Sequence, residues 1–335
     1  MKITNYANKN TKDYKNAVSF SDFLNNSIGS GSNVITRANI LEKDATVLAC
    51  TDLIASTIAS CGLQLYEKID TGKQKVDDEL NSLVKFRANK NMSAFELIRA
   101  MMKDLLIYNQ AFALIQTKKG KVVGIEYLDA SITQVDRIYG SDKYIISSTL
   151  YDKNIKISSD EVIWLKDFSD KFKTIRPIVE VKLACNQLIN NYFENGVDVK
   201  GIISVAGDIS EEAKQVLKKA FKNTIEQDNI AVLESGLDYK SISQSSTFRE
   251  QQLIEIMETL DNEIYKAFGV PKSLVLGDGQ ESSYASLEVI SQSFIRSLLK
   301  YITLIENELN YKLIFEHERG KLYFKMNYDL SLIHI

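Results

Sequence analysis

The spacing of hydrophobic residues along the first half of this chain alternates between a helical and a strand period, and each change of period indicates a new predicted element. Apolar residues recur every three or four positions over 45–60, which predicts a helix that Asp44 caps and Gly62 ends. LQLYEKI at 63–69 alternates between apolar and polar residues, as a strand does. DDELNSLVKF predicts a short helix, and SAFELIRAMMKDLLIYNQ predicts a longer one with a Ser-x-x-Glu capping box.

Strand-type alternation then continues from 111 to 165, in AFALIQT, KVVGIEYL, ITQVDRIY, KYIISSTL and EVIWLKDF. Helices followed by a run of strands indicate an α+β fold, and we expect one compact domain over 41–173. The preceding residues 1–40 are rich in Asn, Ser, Lys and Gly, which predicts a flexible arm.

From 174 onward the helical period dominates. Thr174 and Pro177 predict the start of a helix of about five turns that Gly196 ends, with an apolar stripe at Ile178, Val181, Cys185, Leu188 and Tyr192. Two further long helices are predicted over about 247–268 and 284–311. Between the first two lies a small unit with three strands, a helix capped by Ser210 and a turn at Gly236. LIFEHERGKLYFKMNY at the end predicts a hairpin turning at Arg319 and Gly320.

Composition restricts the possible functions. The 335 residues carry a net charge of −3, and no run of Lys and Arg forms the basic patch typical of proteins that grip DNA. No apolar run approaches the ~20 residues that span a membrane. Three cysteines at no metal-binding spacing favour reduced thiols in a cytoplasmic setting.

No set of residues points to catalysis, a metal or a cofactor. The two histidines are His317 and His334, and no metal-ligand, nucleophile or phosphate-loop motif accompanies them. His317 is flanked by Glu316 and Glu318, but on a predicted strand the acids face away from it, so we expect a surface or packing histidine.

The second long helix carries a polar face opposite its apolar stripe. Its residues are Gln251, Glu255, Glu258, Asn262 and Lys266. The ordinary interpretation is the solvated side of an amphipathic helix. The alternative is a channel wall, because acidic side chains repel DNA phosphates and let a strand slide.

Several ordered segments resemble the portal proteins of tailed bacteriophages, over about residues 40–329. TIRPIVEVKLACNQLINNYFENGVDVKGII resembles the family's proline-initiated helix, which ends in aromatic-x-Asn-Gly before a Gly-Ile strand. IYKAFGVPKSLVLGDGQESSYASLE is similar to its aromatic-Gly-Val-Pro helix end, Gly-acidic loop and restart. NKNMSAFELIRAMMKDLLIYNQAFALI resembles an earlier segment, although Ala88 replaces the usual proline and Asn109 the usual glycine.

This resemblance implies a ring, typically of twelve subunits, at a capsid vertex, assembled in the bacterial host cytoplasm. It implies as partners the chain itself, double-stranded DNA passing without sequence specificity, the terminase large subunit, head-completion proteins and the major capsid protein. It also implies a wing over 41–173, stem helices over 174–196 and 246–269, a clip over 197–245, a tunnel-type loop over 270–283 and the start of a crown over 284–329.

In that arrangement the loop and the polar helix face line the channel. Gly269 and Pro271 stop the second stem helix, and Gly277 and Gly279 act as hinges. Residues 273–276 are expected to pack on a neighbouring subunit. Candidate channel residues in the loop are Lys272, Ser273, Asp278, Gln280 and Glu281. On the residues alone, an ordinary helix–loop–helix connection remains the alternative.

The final LSLIHI matches the translation of a sequencing-adapter end. We therefore expect residues 330–335 to be foreign and to pack against nothing specific, and the natural protein to be longer. A head–tail connector of the virion and a soluble enzyme with an unrecognised site remain the alternative functions. An enzyme would require a concave pocket with convergent polar groups.

Overall fold

A computed structural model describes 34–140, 142–151, 153–195, 201–205, 210–217, 219, 237–241, 246–277 and 284–328. The segments 1–33, 278–283 and 329–335 lie outside it, as do Gly196, Gly236 and one of the three strands predicted for the small unit, NIAVLE at 229–234. The chain divides into two units, one containing residues 1–184 and 258–335 and the other residues 185–257.

The first unit opens with helices whose ends follow from local sequence. Helix α1 (Ile40–Lys43) precedes α2 (Ala45–Ser60), and the Asp44 carboxylate caps α2 by accepting from the Val47 backbone N–H at 2.9 Å. Gly62 follows α2 with a φ of +59°, a conformation that glycine adopts without steric cost. Strand β1 (Leu63–Ile69) pairs with β2 (Gly72–Lys75) in an antiparallel hairpin.

Two capped helices follow, as the sequence predicts. Helix α3 spans Glu79–Lys85 and α4 spans Ala94–Tyr108. Both halves of the capping box are present, because the Glu96 backbone N–H donates to Ser93 Oγ and the Ser93 backbone N–H donates to Glu96 Oε2. Asn109 ends α4 in the left-handed region at a φ of 64°, so an asparagine fills a position that favours glycine.

Six strands form two antiparallel sheets, β4-β3-β8 and β5-β6-β7. Phe112 on the central strand β3 packs with Leu128, Ile146 and Val162, so that a small second core joins these strands. The strands are β3 (Gln110–Lys118), β4 (Lys121–Leu128), β5 (Gln134–Arg137), β6 (Tyr144–Leu150), β7 (Lys153–Ser158) and β8 (Val162–Lys166).

The long helices have bounds close to those predicted, with one exception. Helix α5 spans Lys171–Asn195, three residues longer at its start than predicted, and places Pro177 inside the helix instead of near its first position. Helix α6 spans Ser246–Phe268, a short helix α7 spans Lys272–Leu276, and α8 spans Tyr284–Leu313.

The predicted apolar stripe of α5 is displaced. In the part that belongs to the first unit, Ile178 and Val181 are half-buried, and the buried positions are Lys171, Phe172, Ile175, Val179, Lys182 and Ala184. Hydrophobic periodicity cannot identify a buried lysine, because it predicts that charged residues are exposed to solvent.

Helix α8 belongs to the same core as α2 and α4. Its buried residues Leu298, Ile302, Ile305 and Leu309 join the main hydrophobic cluster with Ile54 of α2. Burying each such side chain contributes about 1.5–3 kcal/mol. Residues of α8 and of the 41–173 segment therefore share one hydrophobic core.

The expected C-terminal hairpin is wrong. Residues Glu316–Glu318 form a 3-10 turn instead of a strand. Strand β11 (Leu322–Met326) pairs with the distant strand β1. His317 is consequently not on a strand. It is exposed, with its ring 5.8 Å from that of Phe315. A hairpin prediction from sequence favours local pairing, whereas here a distant strand offers the partner edge.

The described end of the expected N-terminal arm is also ordered. Ile35 and Ile40 are buried. Arg37 places Nη2 2.8 Å from both carboxylate oxygens of Asp170, donates from Nη1 to the Ile107 carbonyl, and packs over the Phe172 ring. The flexible-arm prediction is therefore wrong for residues 34–40.

The second unit contains an antiparallel pair of strands, β9 (Gly201–Val205) and β10 (Leu237–Ser241). The helical residues 211–217 begin after Ser210, whose Oγ accepts from the Ala213 backbone N–H at 3.3 Å, which is the predicted cap.

Candidate channel-facing surface

The polar face predicted on α6 is exposed along most of its described length. Glu255, Glu258 and Lys266 are exposed and Asn262 is half-buried, while the side chain of Gln251 lies outside the described side chains. Lys266 Nζ lies 2.6 Å from Glu263 Oε1, so its charge is shared along the helix surface. The helix therefore presents carboxylates outward, as both the solvated-face and the channel-wall interpretations require.

Two apolar side chains beside this face are exposed, which the sequence pattern did not predict. Ile254 and Ile256 are 58% and 41% exposed in the monomer. Their exposure could not be read from periodicity, since isoleucine at a helix flank suits either a core or an interface. Exposed isoleucines near an exposed acidic face are consistent with a helix that has neighbours in an assembly.

Helix α6 ends in a complete Schellman motif. The Gly269 N–H donates to the Lys266 carbonyl at 3.1 Å and the Val270 N–H to the Tyr265 carbonyl at 3.0 Å. Gly269 has a φ of +69°, which an L-residue adopts only with strain. Pro271 follows and has no N–H to continue the helix.

The predicted loop is partly helical. Pro271 precedes α7, which ends at Gly277 with a φ of 66°. Lys272 is exposed and Ser273 is half-buried. The remaining predicted loop residues, Asp278, Gly279, Gln280 and Glu281, lie outside the described residues.

Residues 273–276 were expected to pack on a neighbouring subunit, and the structure corrects this in part. Leu274 and Val275 pack against the main core of their own chain. Leu276 is 51% exposed and is the apolar side chain of this segment that remains on the surface.

A buried ionic cluster connects α2, α5 and α6. Lys182 Nζ lies 2.5 Å from Asp44 Oδ2 and 2.6 Å from Asp261 Oδ1, and Thr46 Oγ1 donates to Asp261 at 2.6 Å. Lys182 and Asp44 are 7% and 5% exposed. Since a buried charge is tolerated only when paired and hydrogen-bonded, this cluster fixes where the two long helices leave the core.

The same cluster affects its neighbour Cys50. Burial, with the nearby carboxylates Asp44 and Asp261, raises the pKa of the Cys50 thiol to about 12. The thiol therefore stays protonated near neutral pH and is not an activated nucleophile.

Elsewhere in the described chain the titratable groups suit structure better than catalysis. Burial raises the pKa of Asp104 to about 7, and its Oδ2 accepts from the Tyr127 hydroxyl at 2.8 Å and from the Ala130 N–H at 3.1 Å. No group of three or more His, Cys, Asp or Glu that could hold a metal occurs among the described residues. The enclosed cavity beside Leu97, Met101 and Ile305 is lined by apolar side chains, so it lacks the convergent polar groups of an enzyme site.

None of the described helices combines the length and apolar character needed to cross a bilayer.

Comparison with known proteins agrees with the fold and the order of these segments. The phage portal protein family model matches residues 45–332. The portal protein of Enterobacteria phage HK97 is 24% identical over 305 residues, covering 85% of this chain and 70% of that protein. The portal protein of Escherichia phage T5 is 22% identical, covering 67% of this chain and 58% of its own length.

Solved structures share the architecture. An HK97-family phage portal protein from Corynebacterium diphtheriae superposes with a TM-score of 0.61 at 15% identity, covering 89% of this chain and 96% of that one. A chain from the neck of a native gene transfer agent particle, computed with C12 symmetry, gives a TM-score of 0.60 at 16% identity, with 90% and 85% covered. The α+β fold is thus the fold of HK97-family portal proteins.

Proposed function

Because this chain belongs to the phage portal protein family, a structural family, we propose that it is a subunit of a ring-shaped DNA channel at a capsid vertex, for genome packaging and ejection. The observation that carries this proposal is the exposed acidic stretch of α6. It stands where the resemblance puts the second stem helix, and it ends at the Gly269 motif that begins the loop.

Acidic side chains suit a conduit for DNA for an electrostatic reason. In a closed ring, Glu255 and Glu258 from every subunit would repeat around the lumen, and their charges would add to a negative potential. Phosphates entering such a lumen are repelled from every side, so the duplex has no favoured resting position. The channel then passes DNA without sequence specificity.

A channel wall must also hold its position under load. The Lys182 cluster joins α5 and α6 to α2 inside the core, and the Schellman motif sets the direction in which the chain leaves α6. Both features lie within one subunit. They support a ring in which α6 keeps the same position on every subunit.

The remaining assignments follow the family arrangement. We propose a homo-oligomeric ring, taken as dodecameric, with the 197–245 segment docking the terminase large subunit and later the head-completion proteins. Residues 41–173 would face neighbouring subunits and the major capsid protein. Assembly would take place in the bacterial host cytoplasm and the product would reside in the virion.

Ring formation and packaging are tested with three double variants expressed in a phage that carries this portal. Glu255→Lys with Glu258→Lys reverses the charge of the wall and should leave rings visible by electron microscopy while reducing the rate of DNA packaging. Glu255→Gln with Glu258→Gln should package normally, because neutral side chains do not hold phosphates.

The third double variant, Glu42→Lys with Glu316→Lys, makes the same change in net charge away from α6. Both of these side chains are exposed. Equal packaging by the wall-reversed and wild-type rings would contradict the channel-wall role of α6. Absence of rings in the wild-type protein, together with a monomeric mass in solution, would contradict the portal function itself.

A further inference from the structure

The sheet formed by β11, β1 and β2 brings basic residues from distant parts of the sequence to one side. In the observed register, Tyr66 on the central strand lies opposite Tyr323 of β11 and Lys75 of β2. Lys68 lies opposite Lys73, and Gln64 lies opposite Lys325. Directly opposed residues of antiparallel strands project to the same side of a sheet, so these side chains share a surface.

The other side of the same sheet belongs to the protein core. Leu63, Leu65, Phe324 and Met326 alternate with the residues above and are all buried. The polar side is exposed at Lys68, Lys73 and Lys75, whereas at its other end Gln64 is buried and Lys325 is half-buried. We call it the lysine face, and it consists of Lys68, Lys73, Lys75, Lys325, Tyr66 and Tyr323.

The charges of the lysine face are not neutralised within the described chain. None of its four lysines has an ion-pair partner among the residues that the structure describes. Glu67 lies on the opposite side by alternation, and its carboxylate is 2.8 Å from Lys321 Nζ. Asp70 sits in the turn between β1 and β2.

The dimensions of the lysine face suit a polyanion with closely spaced charges. Adjacent strands are about 4.8 Å apart and alternate residues about 6.7 Å apart, so the backbone positions of the four lysines span a patch roughly 16 Å across. Duplex DNA carries one negative charge for about every 1.7 Å of its axis, and several phosphates can therefore reach the patch together.

The tyrosines favour the backbone of a duplex over unpaired bases. The rings of Tyr66 and Tyr323 are stacked on each other with centroids 5.8 Å apart, and Lys73 Nζ lies 4.7 Å from the centroid of Tyr66. A base needs an open ring face to stack on, and the Tyr66 ring is already engaged by both neighbours. Phosphate contact by the lysines requires no such opening.

We propose that the lysine face binds double-stranded DNA through its phosphates, without sequence preference. This contact is separate from the acidic face of α6 and would hold DNA where that face would release it. The absence of a run of Lys and Arg in the sequence does not exclude this surface. The lysines are dispersed along the sequence, and only strand register collects them.

The test is fluorescence anisotropy of the full chain with a labelled duplex of about 20 base pairs, between roughly 50 and 200 mM salt. The variant is Lys68→Gln, Lys73→Gln, Lys75→Gln on the β1–β2 hairpin. The matched control is Lys118→Gln, Lys119→Gln, Lys121→Gln, which removes three exposed lysines from the β3–β4 hairpin. Circular dichroism melting verifies that all three proteins fold alike.

We expect the wild type to bind, and the hairpin variant to lose about tenfold or more in affinity at the lowest salt. The slope of log K against log[salt] should fall in magnitude by roughly 2–3, about one unit for each lost phosphate contact. The control should keep the wild-type slope. Equal losses in the two triple variants, or a wild type that does not bind, would overturn the proposal.

Tighter binding of a single strand of the same length would overturn the duplex assignment. Equal displacement by polyglutamate would reduce the face to a generic polyanion site and overturn the assignment to DNA. Since the assay needs no ring, its failure is distinguishable from failure of the proposed channel.

Discussion

The ammonium nitrogen of Lys182 lies 2.6 Å from Oδ1 of Asp261, and this contact joins α5 to α6 inside the first unit. The same nitrogen lies 2.5 Å from the carboxylate of Asp44, which caps α2. One lysine thus connects three helices, two of which are the proposed stem helices. A cluster of this kind is a specificity device, because its members must all be present to be satisfied.

Replacing Lys182 with Met should destabilise the protein by about 3–5 kcal/mol, since two carboxylates would be left close together with no cation. The measurement is urea unfolding followed by circular dichroism. Lys266→Met is the matched control, because Lys266 is also ion-paired but its side chain is 71% exposed. An exposed pair contributes about 0–1 kcal/mol. Equal, small losses in the two variants would show that the buried cluster is not structural.

Asp104 should make the stability of the protein depend on pH. Its pKa is about 7 in the folded chain against 3.8 for the unperturbed group, so the folded state holds a proton that the unfolded state has released. The free energy of unfolding contributed by this group is therefore highest below about pH 4. It falls as pH rises and is constant above about pH 7.

Asp104→Asn removes this titration while keeping an oxygen to accept from Tyr127 and Ala130. We expect the variant to gain stability over the wild type with rising pH, by up to about 4 kcal/mol at pH 8. The difference in unfolding free energy between the two proteins, measured from pH 4 to 8, isolates this group from the others. Asp136→Asn, at an exposed position on β5, is the matched control for the loss of a carboxylate. A pH-independent difference for Asp104→Asn would contradict the assignment.

Gly269 should resist substitution by residues that avoid the left-handed region. No atom lies within 4 Å of a Cβ added at Gly269, so the cost of Gly269→Ala is backbone strain alone, about 1–2 kcal/mol. Gly269→Asn should cost less, because asparagine tolerates this conformation, as Asn109 does at the end of α4. Thermal unfolding of both variants measures the order. An alanine variant as stable as the asparagine one would argue against the observed helix end.

The polar face of α6 was recognisable from the sequence, because a helix face is set by spacing along one segment. Glu255 and Glu258 are exposed as their positions predict. Whether they line a lumen depends on neighbouring subunits, and spacing carries no information about those. The packing of Leu274 and Val275 on their own core was missed for a similar reason, since a short apolar run after a proline does not say which surface it will meet.

By itself, the sequence determined the local elements: the Asp44 and Ser93 caps, the Gly62 and Gly269 helix ends, and the periods of the long helices. These depend on interactions within a few residues, which are strong enough to be read from residue types. The portal family was recognised separately, from the order of several residue motifs such as IYKAFGVPKSLVLGDGQESSYASLE.

Tertiary structure alone decided the burial of Lys182, the pairing of β11 with β1 and the assembly of the lysine face. Each of these features depends on residues far apart in the chain. Distant carboxylates pair with Lys182, a distant strand edge pairs with β11, and the strand register collects the lysines. A lysine is assigned to water by every local pattern, and only its neighbours in space determine whether it is neutralised in the core or collected with others on a surface.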